Sequence, residues 1–238
     1  ILGLGTSSHA IIEQWNGVPF EKPLGRVRDT VTLLRQALSG AKTDYDGPTL
    51  RSKGFRLGAV PTQPLRIYLA ALREKMLNLA GELGEGLIIN FFPLDALPKI
   101  LAAYRSGAKA AGRDATNDEI VARFQIAITD QPEQARNMVR AGFAGYVATP
   151  VYNRFFDWVG FPEVAKGVAE AFANRDRAAT TAAIHDDFVN AITIIGSAEE
   201  CRERLAAIVE AGVTTPVLAP LATSPQAITD VFEALAPR

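Results

Sequence analysis

The chain has 238 residues, 48% of them hydrophobic and 21% charged, which is enough apolar material to bury a substantial core and too much for a disordered chain. Its 25 basic and 26 acidic side chains leave a net charge of −1, without the positive field that would draw nucleic acid or an acidic membrane surface. The single cysteine, Cys201, excludes an internal disulfide framework and a cysteine-rich zinc site and fits a reducing cytoplasm, and no apolar run nears the roughly 18 residues that span a bilayer.

Ile1 to Leu4 is a short apolar run ended by Gly5, as expected of a strand buried on both faces, with a helix soon after. From Pro23, a favourable first helical residue, Leu24, Val27, Val31, Leu34 and Leu38 recur at helical spacing until Gly40. Residues 44–58 carry Asp46-Gly47, Pro48 and two later glycines, which predicts a small hairpin excursion. Arg66 to Ala71 reads as the next strand, and the helix after it places Met76, Leu79, Ala80 and Leu83 on one face and ends at Gly84.

Gly86 to Asn90 is again an uninterrupted apolar strand, followed by an alanine-rich helix over roughly 94–111 and a strand at Arg123 to Ile128. Asp130 and Glu133 flank Pro132 in the pattern of a capping box. Residues 150–188 break the rhythm with YNRFFDWVGFP and helical sequence, and read as a helical insertion before the last strand. Ser197 and Glu200 then cap a helix running to Gly212, VTTPVLAP supplies that strand, and a final helix closes the chain. Continuous apolar strands alternating with amphipathic helices define an α/β fold on a parallel sheet, either doubly wound or a (β/α)8 barrel.

Four stretches in order, GLGTSS, GVPFEKPLGRVRDTVTLLRQAL, IYLAALREKMLNLAGELGEGLIIN and AITIIGSAEECRERLAAIVEAGVTTPVL, resemble the bacterial luciferase-like superfamily of flavin and deazaflavin enzymes. The resemblance is greatest to its coenzyme F420-dependent branch, which includes the methylenetetrahydromethanopterin reductases. It implies one luciferase-like TIM barrel over residues 1–238, with the insertion at 150–188 and the cofactor at the C-terminal ends of the strands. In the family pattern GLGTSS is the fourth strand, so three strands precede the point where this chain begins. The implied protein is a cytoplasmic homodimer that moves a hydride between F420 and a small organic substrate. An FMN-dependent monooxygenase and a truncated, non-catalytic flavin-binding homologue are the alternatives.

Carried over from the family, Gly5, Thr6 and Ser7 approach the cofactor with small side chains and hydroxyls. Ala71, Arg73 and Lys75 fall at a strand-to-helix turn, where a helix N-terminus suits a phosphate. Many relatives have Gly-Pro in this turn where Arg73 and Glu74 stand here. Asn90 ends its strand, the position from which a barrel residue points into the active-site mouth.

No catalytic residue is designated, because the acid-base residues of relatives fall on the three preceding strands. His9 follows the cofactor turn, as a proton donor or as a surface or capping residue. His185, Asp186 and Asp187 are adjacent and so do not converge on one ion, and they read as a helix start with no metal. Tyr152, Phe155, Phe156, Trp158 and Phe161 read first as packing of the insertion, with a substrate pocket or a subunit interface as the other uses.

Overall fold

The structure of the chain, a computed structural model, describes residues 1–222 and 224–236. Two compact units are formed, Ile1–Ile88 with Ile100–Glu119, and Ile89–Lys99 with Ile120–Arg238. Among the described residues no helix is long and apolar enough to cross a membrane.

The first unit is built on parallel strands. β1 (Leu2–Leu4) pairs with β4 (Ile67–Ala70), which pairs in turn with the start of β5 (Gly86–Asn90). Between β1 and β4 come a π-type helical segment (Ala10–Trp15), helix α1 (Pro23–Leu38) and the hairpin of β2 (Asp44–Asp46) and β3 (Arg51–Lys53). Helix α2 (Glu74–Leu83) links β4 to β5, and most of α3 (Leu97–Ala110) packs in the same unit. Pro23 takes the first turn of α1 as expected, and the chain leaves that helix through Gly40 at φ 78°.

β4 is buried on both faces, but β1 is not: Gly3 is exposed and Leu2 and Leu4 are half-buried. Among the described residues only β4 pairs with β1, so its second edge carries no strand and its side chains lose that cover. Leu77 and Leu87 are fully buried, each stabilising the fold by about 1.5–3 kcal/mol. Helix α1 is tied to its neighbours by charge. Arg28 grips both carboxylate oxygens of Glu82, and Arg35 reaches the Leu83 carbonyl and the Glu85 carboxylate, which also accepts from the Ile67 amide.

In the second unit β6 (Glu119–Ile128) pairs in parallel with β7 (Thr193–Gly196) and with β8 (Thr215–Pro220). The expected helical stretch is present as the end of α4 (Pro132–Ala148), then α5 (Pro150–Trp158), α6 (Pro162–Ala173), α7 (Arg177–Ala182) and α8 (Asp186–Ile192). It is followed by β7 as well as β8, so two strands come after it. Helices α9 (Ala198–Glu210) and α10 (Pro225–Leu235) complete the unit.

The capping box at Ser197 and Glu200 forms in full, with reciprocal bonds of 3.3 and 2.7 Å. The one expected at Asp130 and Glu133 does not. Gln131 occupies the N-cap of α4, and Glu133 turns away to accept from Arg136 and Arg140, a charge-assisted alternative to the backbone amide.

Candidate cofactor site

Six of the seven candidate residues lie in the first unit. The pairing of Leu4 with Leu69 sends residues 5–7 and 71–73 off the same ends of two adjacent parallel strands. This is the C-terminal side, where α/β enzymes carry their chemistry. Gly5 lies close to β4, since a Cβ there would stand 3.1 Å from that of Ala70. Thr6 is half-buried and donates to the Ser7 carbonyl at 3.3 Å, and Ser7 is exposed in the left-handed region at φ 57°. Serine visits that region less readily than glycine or asparagine.

Gly5 and Thr6 also line a cavity of about 260 Å³ walled by Ile12, Val18, Phe20 and Val27, with Arg26 at its rim. Ala71, Arg73 and Lys75 do not line it. Ala71 is buried and continues the β4 pairing by donating its amide to the Ile88 carbonyl at 3.2 Å.

Arg73 is the N-cap of α2, and no side chain caps that helix. The Arg73 carbonyl accepts from Met76 and Leu77, both at 2.9 Å, so the helix begins tightly with its earliest amides directed outward. Lys75 is exposed in the first turn beside Glu74. Open amides, the positive end of the helix dipole and a lysine suit an anionic cofactor tail, and Glu74 in the same turn opposes it. The residues present therefore fit the phosphate-bearing tail of a deazaflavin.

Asn90 belongs to the second unit. It is half-buried at the end of β5. Burial pushes the Tyr152 phenol above its ordinary value, Tyr146 adds to the rise, and Asn90 and Arg123 oppose it. Phe91, next in the chain, is buried at φ 53°, with its ring 4.6 Å from Phe143 and 6.1 Å from Tyr152. The sequence reading missed this aromatic floor. The signal in the sequence is the pair of adjacent large aromatics, Phe91 and Phe92, directly after the apolar strand at Gly86 to Asn90.

The remaining candidates make the following contacts. His9 is exposed and meets Glu13 at 3.0 Å, one helical turn away. His185 is the N-cap of α8 without a side-chain cap, and Asp186 pairs with Arg140 and, at 3.7 Å, with Arg136. Phe155 and Phe156 are core residues, and both Phe156 and Phe161 pack edge-on against Phe188, at 4.7 and 5.1 Å. Trp158 sits 4.2 Å beneath the Lys99 ammonium. Cys201 is buried, which raises its thiol pKa with help from Glu200 and against Arg204, so the sulfur is a poor nucleophile.

Parallel strands joined by helices, with the candidate residues on the turns after β1 and β4 and at the end of β5, define an α/β fold of the luciferase-like TIM-barrel type. The chain belongs to the luciferase-like monooxygenase family, whose model matches residues 1–215. It is 28% identical over 221 residues to the 5,10-methylenetetrahydromethanopterin reductase of Archaeoglobus fulgidus, an alignment covering 91% of this chain. The chain spans 66% of the length of that relative. Its fold matches the coenzyme F420-dependent tetrahydromethanopterin reductase of Methanopyrus kandleri with a TM-score of 0.76 and 22% identity, over 97% of this chain and 71% of that one. An F420-dependent secondary alcohol dehydrogenase in complex with an F420-acetone adduct matches with a TM-score of 0.72 and 17% identity, over 99% of this chain and 69% of that one.

Proposed function

We propose that the chain is part of an F420-dependent oxidoreductase acting on a small organic substrate, with Gly5, Thr6, Ser7, Ala71, Arg73, Lys75 and Asn90 as its cofactor residues. The observation that carries this reading is the start of α2, without a side-chain cap, directly after β4, in a chain among whose relatives are proteins named F420-dependent. When bound, the deazaflavin supplies hydride transfer. In the first unit the open amides of α2 and the Lys75 ammonium would hold the anionic tail, and the Gly5–Ser7 turn would bound the ring. Membership of one family across residues 1–215 supports a single luciferase-like domain containing both compact units.

Titration of the purified protein with F420, followed by deazaflavin fluorescence, tests the assignment, with FMN titrated in parallel. Quenching by the protein at micromolar concentration supports the F420 reading. FMN binding without F420 binding replaces it with the flavin monooxygenase reading, and binding of neither overturns both.

A further inference from the structure

One cavity of the first unit is larger than packing accounts for. Protein interiors are close-packed, with few voids bigger than a water molecule, and the space of about 260 Å³ beside the Gly5–Thr6 turn is far beyond that. An apolar cavity of about 150 Å³ holds one benzene ring, so this one admits a molecule of roughly ten non-hydrogen atoms. Its walls are mostly apolar, from Leu4 at the end of β1 through Ile12 and Val18 to Phe20 and Val27.

The wall formed by residues 18–21 is tied down. Phe20 donates its amide to the Glu13 carboxylate at 3.3 Å, Glu13 also meets His9 at 3.0 Å, and the His9 ring stands edge-on to that of Phe20. The Asn16 amide donates to the Ile11 carbonyl at 2.6 Å, so the loop leading into α1 keeps a fixed course.

Two charged residues line the cavity. Helix α1 carries three arginines, of which Arg28 and Arg35 pair with Glu82 and Glu85. Arg26, on the cavity, is in no ion pair among the described residues. A guanidinium at the edge of an apolar space is complementary to a carboxylate, which it can hold through two parallel N–H donors. Glu21 lines the same cavity and is also in no ion pair among the described residues. One base beside one acid suits a head group with a single negative charge and disfavours a phosphate, whose second charge Glu21 repels.

We propose that this cavity binds a small aliphatic monocarboxylate as the substrate subsite, with the chain among Ile12, Val18, Phe20 and Val27 and the carboxylate on Arg26. The assignment to the substrate rests on the F420 reading above, because Gly5 and Thr6 belong both to the cavity and to the proposed ring site.

Isothermal titration of the full chain with octanoate, 1-octanol and octyl phosphate, each kept below its aggregation threshold, tests the site. Octanoate should bind at one site with a sub-millimolar Kd, and the neutral alcohol and the phosphate more weakly. Arg26→Gln is expected to weaken octanoate about ten-fold or more, the usual effect of a lost charged hydrogen bond, and to leave octanol unchanged. Arg26 is exposed, so this variant keeps the fold. Ile12→Trp fills the cavity and should weaken octanoate and octanol alike. Equal affinity for octanoate and octanol, or an octanoate affinity indifferent to Arg26, overturns the carboxylate assignment. Absence of octanoate binding at millimolar concentration overturns the site, whatever F420 does in its own titration. Saturation with F420 should change the octanoate affinity about five-fold or more, as expected of two ligands that share a turn, and an unchanged affinity overturns the substrate role. Octanoate binding to a protein that fails to bind F420 overturns the F420 reading and the substrate role together, and leaves the carboxylate site standing.

Discussion

Asp29 shows how one buried charge can hold an excursion of the chain. Only 2% of it is exposed, and it accepts from the Tyr45 hydroxyl at 2.8 Å, the Thr49 amide at 2.6 Å and the Thr49 hydroxyl at 2.5 Å, which pins the β2–β3 hairpin to α1. Burial alone would raise its pKa, but the hydrogen bonds from Thr49 and Tyr45 outweigh it and hold the carboxyl below the ordinary carboxylate range. Asp29→Ala leaves those donors unsatisfied and should cost about 2–4 kcal/mol in urea unfolding at neutral pH. The sign of the pH dependence follows from the lowered pKa. The stabilisation is complete above the unfolded value, near pH 4, and is lost as pH falls through the lower folded value. The stability gap between wild type and Asp29→Asn should therefore be full at neutral pH and narrow progressively in acid, and a gap that widens in acid would contradict the arrangement.

Helices α2 and α3 cross backbone to backbone, and two glycines make this possible. A Cβ on Gly81 would lie 1.9 Å from the Tyr104 carbonyl oxygen, and one on Gly107 would lie 1.9 Å from that of Asn78. Neither clash can be relieved by a rotamer change, so Gly107→Ala should cost about 3 kcal/mol or more, at the upper end of overpacking effects. Gly142 in α4 is the opposite case, since a Cβ there meets nothing within 4 Å. Gly142→Ala should gain about 0.5–1 kcal/mol from helix propensity alone. Denaturant unfolding of the two variants checks both signs at once.

The same contrast marks what could be read from the sequence at this scale. The helices from Pro23 and Ser197 and the strands at 67–70 and 86–90 were legible because their apolar periodicity and caps are local. Thr193–Gly196 escaped because it follows α8 without a breaker, so helix and strand merge into one apolar run. The positions of Gly5 to Ser7 and of Asn90 were legible as strand ends. The left-handed Phe91 directly after Asn90, and the rings of Phe143 and Tyr152 packed on it, depend on contacts that no local pattern encodes.

At the scale of the whole molecule the cofactor itself becomes a stability term. A ligand bound only by the folded state stabilises it by about 2.7 kcal/mol at a concentration of one hundred times its Kd. For a chain of 238 residues, each kcal/mol raises the midpoint of thermal unfolding by roughly 2–4 °C, so F420 at that excess should raise it by roughly 5–10 °C. The candidate tail site predicts how this shift responds to substitution. Lys75→Glu sets a second acid beside Glu74 at the positive end of α2, so it should reduce the F420-dependent shift while leaving the midpoint of the free protein within about a degree, because Lys75 is exposed and a lone surface charge contributes little. Added salt should erode the shift in the wild type, since it screens an exposed lysine from the cofactor's anionic tail. The F420-dependent shift of Lys75→Glu should change less with salt, having already lost the attractive charge. A shift insensitive to Lys75 would move the cofactor away from the turn between β4 and α2, and one produced by FMN in place of F420 would replace the cofactor.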